Sequence, residues 1–316
     1  MGTRALRRIA SRVGQSLVTV FVVCTLVFAM IRLIPGDPVL QILGNEASPE
    51  SIKALRSQLH LDGSLLQQYG SYLSDLLHGN LGASLIQRGR PVSEIISSSV
   101  TSTLTIALFG LLLGVLVGMI AGIWGAVTRR KVVNVGVQAF SILAYATPTF
   151  LFALLLVLVV ALMWGLLPAG GWPGGFVQSL PYAILPAIAL GVNLAPKFLR
   201  PVRQEAIDVQ DTLFMEAAIS RGLPRRKLNL SHVLPNSLLP LVTLVGISLG
   251  GLLTNAVIVE AVFGIPGLGS ELSKAVAQRD YPVIQGITLL MSVTVIVGNL
   301  LAETMYQFVD PRARVQ

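Results

Sequence analysis

Six apolar stretches, near residues 13–34, 100–127, 134–164, 181–200, 236–261 and 283–306, set the terms for this chain. Each approaches the roughly 20 residues that carry a helix across a hydrocarbon core. In lipid every backbone polar group must be satisfied within the protein, which a helix of that length does by itself. The composition agrees: 53% of 316 residues are hydrophobic, 12% are charged, and the mean hydropathy is +0.74. Few soluble folds hide that much apolar surface. The expectation is an all-α, polytopic membrane protein with six transmembrane helices.

A net charge of +8 would suit a nucleic-acid binder, but the bases sit in short loops beside apolar runs, without interleaved aromatics. A positive-inside bias explains them better. Arg4 to Arg12, Arg129 to Lys131, Lys197 to Lys227 and Arg312 with Arg314 fall on one side and hold 16 Lys and Arg. Lys53, Arg56, Arg88, Arg90, Lys274 and Arg279 fall on the other, 6 in all, with Arg32 at a boundary. The larger group marks the cytoplasm, so both termini are expected there. Cys24, the one cysteine, lies in the first apolar run and forms no intrachain disulfide. That run follows basic residues as a signal peptide would, but it is too long and lacks a small-residue cleavage site. It reads as a retained helix.

Between Pro35 and Ser99 the chain is too polar to span and too long for a tight turn. Leu55, Leu59, Leu65, Leu66, Tyr69, Tyr72, Leu73, Leu76 and Leu77 recur there at helical spacing. Two or three short helices follow, opened by a cap at Ser48 with Pro49. Within the spans, Pro148 punctuates the third and Pro181, Pro186, Pro196 and Pro201 the fourth, each removing a backbone donor. Gly110, Gly114, Gly118 and Gly122 recur every fourth residue along the second, which predicts a closely packed helix face.

The densest basic segment, Phe214 to Pro235, lies between two spans. At a period of 3.6, Leu213, Phe214, Ala217 and Ala218 share a face, with Thr212, Glu216 and Ser220 opposite. Asp211 or Thr212 caps the start, and Gly222 stands where a left-handed C-terminal cap belongs, with Pro224 beyond. The result is a helix of about three turns, roughly 15 Å long. That is too short to span, and its small alanines suit close approach by another backbone.

Glu216-Ala217-Ala218, Gly222 and Leu234-Pro235 together resemble the EAA loop of ABC-importer membrane subunits. His232 departs from the isoleucine of the general pattern and points toward the peptide-import branch. Further elements resemble the peptide/nickel-type permeases, in their oligopeptide- and dipeptide-permease B-like branch. They are Ile34 to Pro38, Leu59 to Asp62, Gln68-Tyr69, Tyr72-Leu73 and Gly79 to Ser84. Val257 to Glu260, Phe263 to Gly269, Arg279 to Pro282 with Ile284 to Gly286, and Asp310 to Arg312 complete the set. The resemblance covers nearly the whole chain. It departs around Ala217 and Ile219, where peptide permeases often carry Thr and Arg, and this bears on which ATPase the loop fits.

No GxxxxGK[ST] loop, HExxH, GxSxG or Cys/His metal spacing occurs, and His60, His78 and His232 are scattered. Catalysis within this chain is not expected, nor any catalytic, cofactor or metal site. Asn193, Thr254, Asn255 and Asn299 lie inside apolar spans, with Glu260 and Glu303 nearer span ends. Intramembrane polar groups mark a pathway, whereas acids near span ends also sit at interfaces or pair with bases. So little midplane charge argues against a proton- or sodium-driven carrier.

The resemblance implies residues 1–99 as a first span with a small helical extracytoplasmic region, and 100–316 as the core permease domain of a type I importer. Its coupling loop would occupy 211–235. Leu213, Phe214, Glu216, Ala217, Ala218, Arg221 and Gly222 would form the ATPase-docking helix. Arg225, Arg226 and Lys227, with Arg221, would steer docking or touch lipid headgroups. The implied partners are a second homologous permease, two cytoplasmic ATPases that hold ATP and Mg, and an extracytoplasmic binding protein delivering di- or oligopeptides. Nickel chelates or glutathione are the alternative cargo, and a self-contained secondary carrier is the alternative class.

Overall fold

The computed structural model describes residues 2–33, 39, 48–58, 63–87, 89–128 and 130–309. The elements at 34–38, 59–62 and 310–312, and Arg88, Arg129 and Arg314, lie outside them. Three helices are long and apolar enough to cross a membrane, or up to six if each bent pair is one span. Among the described residues no strand occurs beyond an isolated bridge between Ala83 and Pro91. The chain divides into two compact units, Met1–Val100 with Glu271–Val293 and Thr101–Ser270 with Thr294–Gln316.

In the first unit, helix α1 (Gly2–Leu33) is followed by α2 (Pro49–Gln58) and α3 (Leu65–Leu77). Ser48 caps α2 through its Oγ, which accepts the Ser51 N–H at 3.2 Å, and Pro49 takes the first helical position. Ser64 and Gln67 close a reciprocal capping box on α3. Tyr69 and Tyr72 of α3 lie against Phe28 of α1 at ring separations of 5.1 and 5.6 Å. Tyr69 Oη and Thr25 Oγ1 share a 2.6 Å hydrogen bond. The expected apolar stripe is only partly turned inward: Leu66 and Leu77 are 81% and 88% exposed, while Gln68 is buried. Tyr69 fixes the rotation, because its ring packs on Phe28 while its hydroxyl meets Thr25.

The second unit is built on α7 (Phe176–Gln210), which crosses against α4 (Val92–Val127). The glycine stripe of α4 is the reason they approach so closely. A Cβ on Gly118 would lie 2.7 Å from Ala195 O, and one on Gly122 2.8 Å from Leu199 O. Gly110 and Gly114 meet Leu190 and Gly191 in the same way. Helix α7 continues through all four of its prolines, so the punctuation expected there does not break it. Pro186 and Pro196 are themselves buried in the packing.

Pro148 does break its span. Helices α5 (Lys131–Ala146) and α6 (Thr149–Met163) meet at 104°. Thr147 is extended (φ −79°, ψ 120°), the conformation that a following proline imposes. The last turns of α6, Val157–Met163, are π-wound. After α8 (Leu213–Ser220) and α9 (Arg225–Ser237), helix α10 (Leu239–Phe263) ends at Gly264, which is left-handed at φ 60°. Helix α11 (Leu268–Gln278) then leaves at 77° to the last stretch of α10, and α12 (Tyr281–Val309) closes the chain.

Candidate functional site

Helix α7 ends at Gln210, and a two-residue turn feeds α8. Thr212 holds the N-cap position, but its hydroxyl donates back to Val209 O at 2.6 Å. Neither Thr212 nor Asp211 therefore caps α8 with its side chain. At the other end Leu223 N–H reaches Ala218 O at 3.3 Å and Gly222 N–H reaches Ile219 O at 2.9 Å. That is a Schellman closure with Gly222 at φ +75°, the left-handed cap expected of it. The helix is eight residues long, about two turns rather than three. It is shorter because the extended Thr212 and the Gly222 cap bound it tightly.

Two side chains of α8 point inward. Met215 and Ala218 join Ala206, Val209, Leu228 and Val233 in a buried cluster that seats the helix on the end of α7 and on α9. Ala218 is only 8% exposed, so it does not belong to the open face with Leu213, Phe214 and Ala217. The correction follows from the helical wheel: Met215 and Ala218 are three residues apart, on the side that the buried cluster claims. Leu213 (83% exposed) and Ile219 (57%) are instead open, as are Glu216, Ala217 and Arg221. Phe214 is half exposed and leans on His232, with ring centroids 6.1 Å apart. Arg225, Arg226 and Lys227 are exposed at the start of α9. The result is a firmly seated, two-turn platform with an apolar crest and a basic margin.

The polar residues expected along a path separate into three kinds. Thr254, Asn255 and Asn299 are exposed, and Asn255 donates to Gly251 O of its own helix at 3.0 Å. Asn193 sits in the crook between α5 and α6, where its amide donates to Ala144 O (3.4 Å) and Thr147 O (3.3 Å). It thereby occupies carbonyls that the Pro148 break leaves without helical donors. Phe140, Leu143, Thr147, Phe152 and Val192 enclose with it a cavity of about 240 Å³.

Glu260 corrects the expectation. It is 0% exposed and lines no open path among the described residues. Its Oε1 accepts the Thr103 hydroxyl at 2.6 Å and its Oε2 the Ser270 N–H at 3.0 Å. Thr103 Oγ1 in turn accepts the Leu268 N–H at 2.8 Å, and Ser102 Oγ donates to Pro266 O at 2.8 Å. Gly267 lies so close to the carboxylate that any Cβ would overlap it. Glu260 thus fastens the 263–269 elbow and supplies acceptors to the opening turn of α11. The side chain of Glu303 lies outside those described.

A comparable knot in the first unit joins Ser84 to Asp280. The Ser84 hydroxyl and the Leu85 N–H (3.1 Å) both donate to the Asp280 carboxylate, and Asp280 is 2% exposed. Sequence reading singled out neither Met215, Thr103 nor this pairing. Thr103 carries no local signal, because its partners lie more than 150 residues away.

Two family models match the chain. One, described as binding-protein-dependent transport system inner membrane component, covers residues 114–315. The other, the N-terminal part of such a component, covers residues 5–107. The dipeptide transport system permease protein DppB of Escherichia coli K12 is 32% identical over 98% of this chain and 99% of its own length. The glutathione transport system permease protein GsiC of Escherichia coli O6:H1 is 35% identical over 94% of this chain and 95% of its own. A chain of the MetNI methionine ABC transporter, solved in inward-facing conformations, superposes with a TM-score of 0.58. It is 19% identical and covers 68% of this chain and 96% of that one, a likeness of fold.

Proposed function

Because the chain belongs to the family of binding-protein-dependent transport inner membrane components, we propose that it is one of two permease subunits of an ATP-driven peptide importer. The curated relatives, aligned over nearly their whole length, support di- or oligopeptides as cargo. A second homologous permease would complete the path. Two cytoplasmic ATPases would hold ATP and Mg, and a binding protein would deliver cargo from outside. Both termini and α8 would face the cytoplasm, by the bias of lysines and arginines. No step of ATP hydrolysis is assigned to this chain.

One observation carries the reading: α8 offers Leu213, Ala217 and Ile219 outward while Met215 and Ala218 anchor it inward. An apolar crest held this firmly suits a groove on a partner, because closing of the partner then moves the whole helix. Its motion would pass through the buried cluster to α7, and from α7 along the glycine seam to α4. Packed helices of this kind move as rigid bodies rather than bending continuously. Arg221, Arg225, Arg226 and Lys227 would steer the docking electrostatically.

The test is co-purification and transport in proteoliposomes. Leu213→Asp should release the ATPases from an otherwise folded permease pair and abolish ATP-dependent dipeptide uptake. If that variant retains the ATPases and transports at the normal rate, the docking role of α8 is wrong. A glutathione cargo is the second reading, favoured by the 35% identity to a glutathione permease. Competition between glutathione and dipeptides for uptake decides between them.

A further inference from the structure

From Asn193 onward every exposed residue of α7 is polar (Lys197, Arg200, Gln204 and Asp208), while Pro201 and Ile207 are half-buried beside them. Asn193, Lys197, Arg200 and Gln204 follow one another at intervals of four, three and four residues, which is a single helical face. The lysine and arginine bias puts this run at the inner end of the span, where such a face still cannot meet acyl chains without heavy cost. Arg200 of this face and Arg203 beside it reach sideways across the seam with α5. Arg200 Nε donates to Ser141 Oγ at 3.1 Å, and its guanidinium lies over the Tyr145 ring at 5.1 Å. Arg203, on the flank, donates through Nη2 to Asn134 Oδ1 at 2.9 Å, while its Nε is buried without a hydrogen-bond partner. No ion pair joins Lys197, Arg200 or Arg203 to a carboxylate among the described residues. Among the described residues the partners of these arginines are neutral, and their positive charge is free to meet an anion.

Asn193, seven residues before Arg200 on the same face, lines the cavity in the α5–α6 crook. At 1.5 Å per residue that separates them by about 10 Å along the axis. An extended dipeptide backbone reaches about 7 Å, and its side chain adds a few more. We infer that the α5–α7 seam is a cargo subsite, with Lys197 and Arg200 binding the C-terminal carboxylate of a peptide and Arg203 supporting them. The apolar cavity at Phe140, Leu143 and Phe152 takes a side chain of the same peptide. The inference rests on the peptide-importer reading and names where within this chain the cargo is held. Guanidinium and carboxylate match in geometry and charge, and removing such a hydrogen bond to a charged group lowers binding on the order of tenfold or more.

The experiment uses the whole transporter in liposomes, with saturating, preloaded binding protein so that delivery does not limit. Turnover is read for Ala-Phe and for its C-terminal amide. Lys197→Gln and Arg200→Gln should slow the free acid on the order of tenfold and leave the amide nearly unchanged. Arg200→Lys should recover much of the loss. Lys197 makes no described contact, so Lys197→Gln tests the idea even if Arg200→Gln folds poorly. An equal loss for both peptides, or no loss for either, would overturn the subsite. So would a requirement for phosphatidylglycerol over phosphatidylcholine that the substitutions abolish, since it would assign the cations to lipid phosphate. If the unmodified transporter moves neither Ala-Phe nor its amide, the peptide reading falls and takes the subsite with it.

Discussion

Glu260 and Thr103, 157 positions apart in the chain, share a buried 2.6 Å hydrogen bond. Through that contact one carboxylate governs the turn between α10 and α11. Both of its oxygens are occupied, and Thr103 relays a further acceptor to the Leu268 N–H.

Removing that carboxylate should be costly. Glu260→Ala would strand the Thr103 hydroxyl and the Ser270 N–H in a buried site, at about 1–3 kcal/mol for each unsatisfied group. Glu260→Gln keeps the volume and one acceptor, and should lose less than half as much. Thermal unfolding of the purified transporter, with amide exchange at 268–270, measures both. Equal destabilisation by the two variants would mean that the elbow needs both carboxylate acceptors and that retained volume with one acceptor does not hold it.

The glycine seam predicts a contrast between two alanine substitutions. Gly118→Ala places a methyl 2.7 Å from Ala195 O and from Phe198 Cβ, forcing α4 and α7 apart. Overpacking of this kind costs about 1–3 kcal/mol. Gly136→Ala on α5 meets nothing within 4 Å. It should be neutral or stabilising by up to about 1 kcal/mol through helix propensity. Melting midpoints of the two single variants, compared with wild type, supply the check.

At Gly222 the constraint is backbone conformation alone. Its φ of +75° is disfavoured for a branched residue, although a Cβ there would enter open space. Gly222→Val should destabilise the end of α8 by about 1–2 kcal/mol. Gly222→Asn, which tolerates the left-handed region, should cost less. In the transporter the valine variant is expected to lower peptide moved per ATP hydrolysed more than it lowers hydrolysis. An unchanged ratio would separate the cap from coupling.

The Ser84–Asp280 knot makes a claim about local order. Ser84 also receives the Gln87 N–H at 2.8 Å, so it stitches the 84–90 turn to itself as well as to Asp280. Asp280→Ala should loosen this turn and speed amide exchange at Leu85 and Gln87 severalfold while the spans stay folded. Exchange at the wild-type rate would show that the Ala83–Pro91 bridge suffices.

What the linear sequence determined was set by local or periodic chemistry. Apolar length fixes membrane helices, a glycine every fourth residue fixes a tight helix contact, and Gly222 with Pro224 fixes the end of α8. Ser48-Pro49 opens α2 for the same reason, because a cap acts over three or four residues. The Pro148 break was legible as a breaker, whereas its 104° angle was not. The four prolines of α7 carry the same local signal as Pro148 but leave the helix continuous, since the packing around α7 decides whether a missing donor bends it.

Tertiary structure alone decided which side of each helix became the inside. Leu213, Phe214, Ala217 and Ala218 form one plausible stripe on a wheel. Burial of Met215 and Ala218 against α7 and α9 turns Ala218 away from it. Glu260 read as a path residue because a costly intramembrane acid usually faces a bundle interior or cavity, and only the fold could bring Thr103 and the 268–270 amides to it. Hydrogen-bond partners more than 150 residues distant leave no trace in local periodicity, because nothing in the chain between them encodes their meeting.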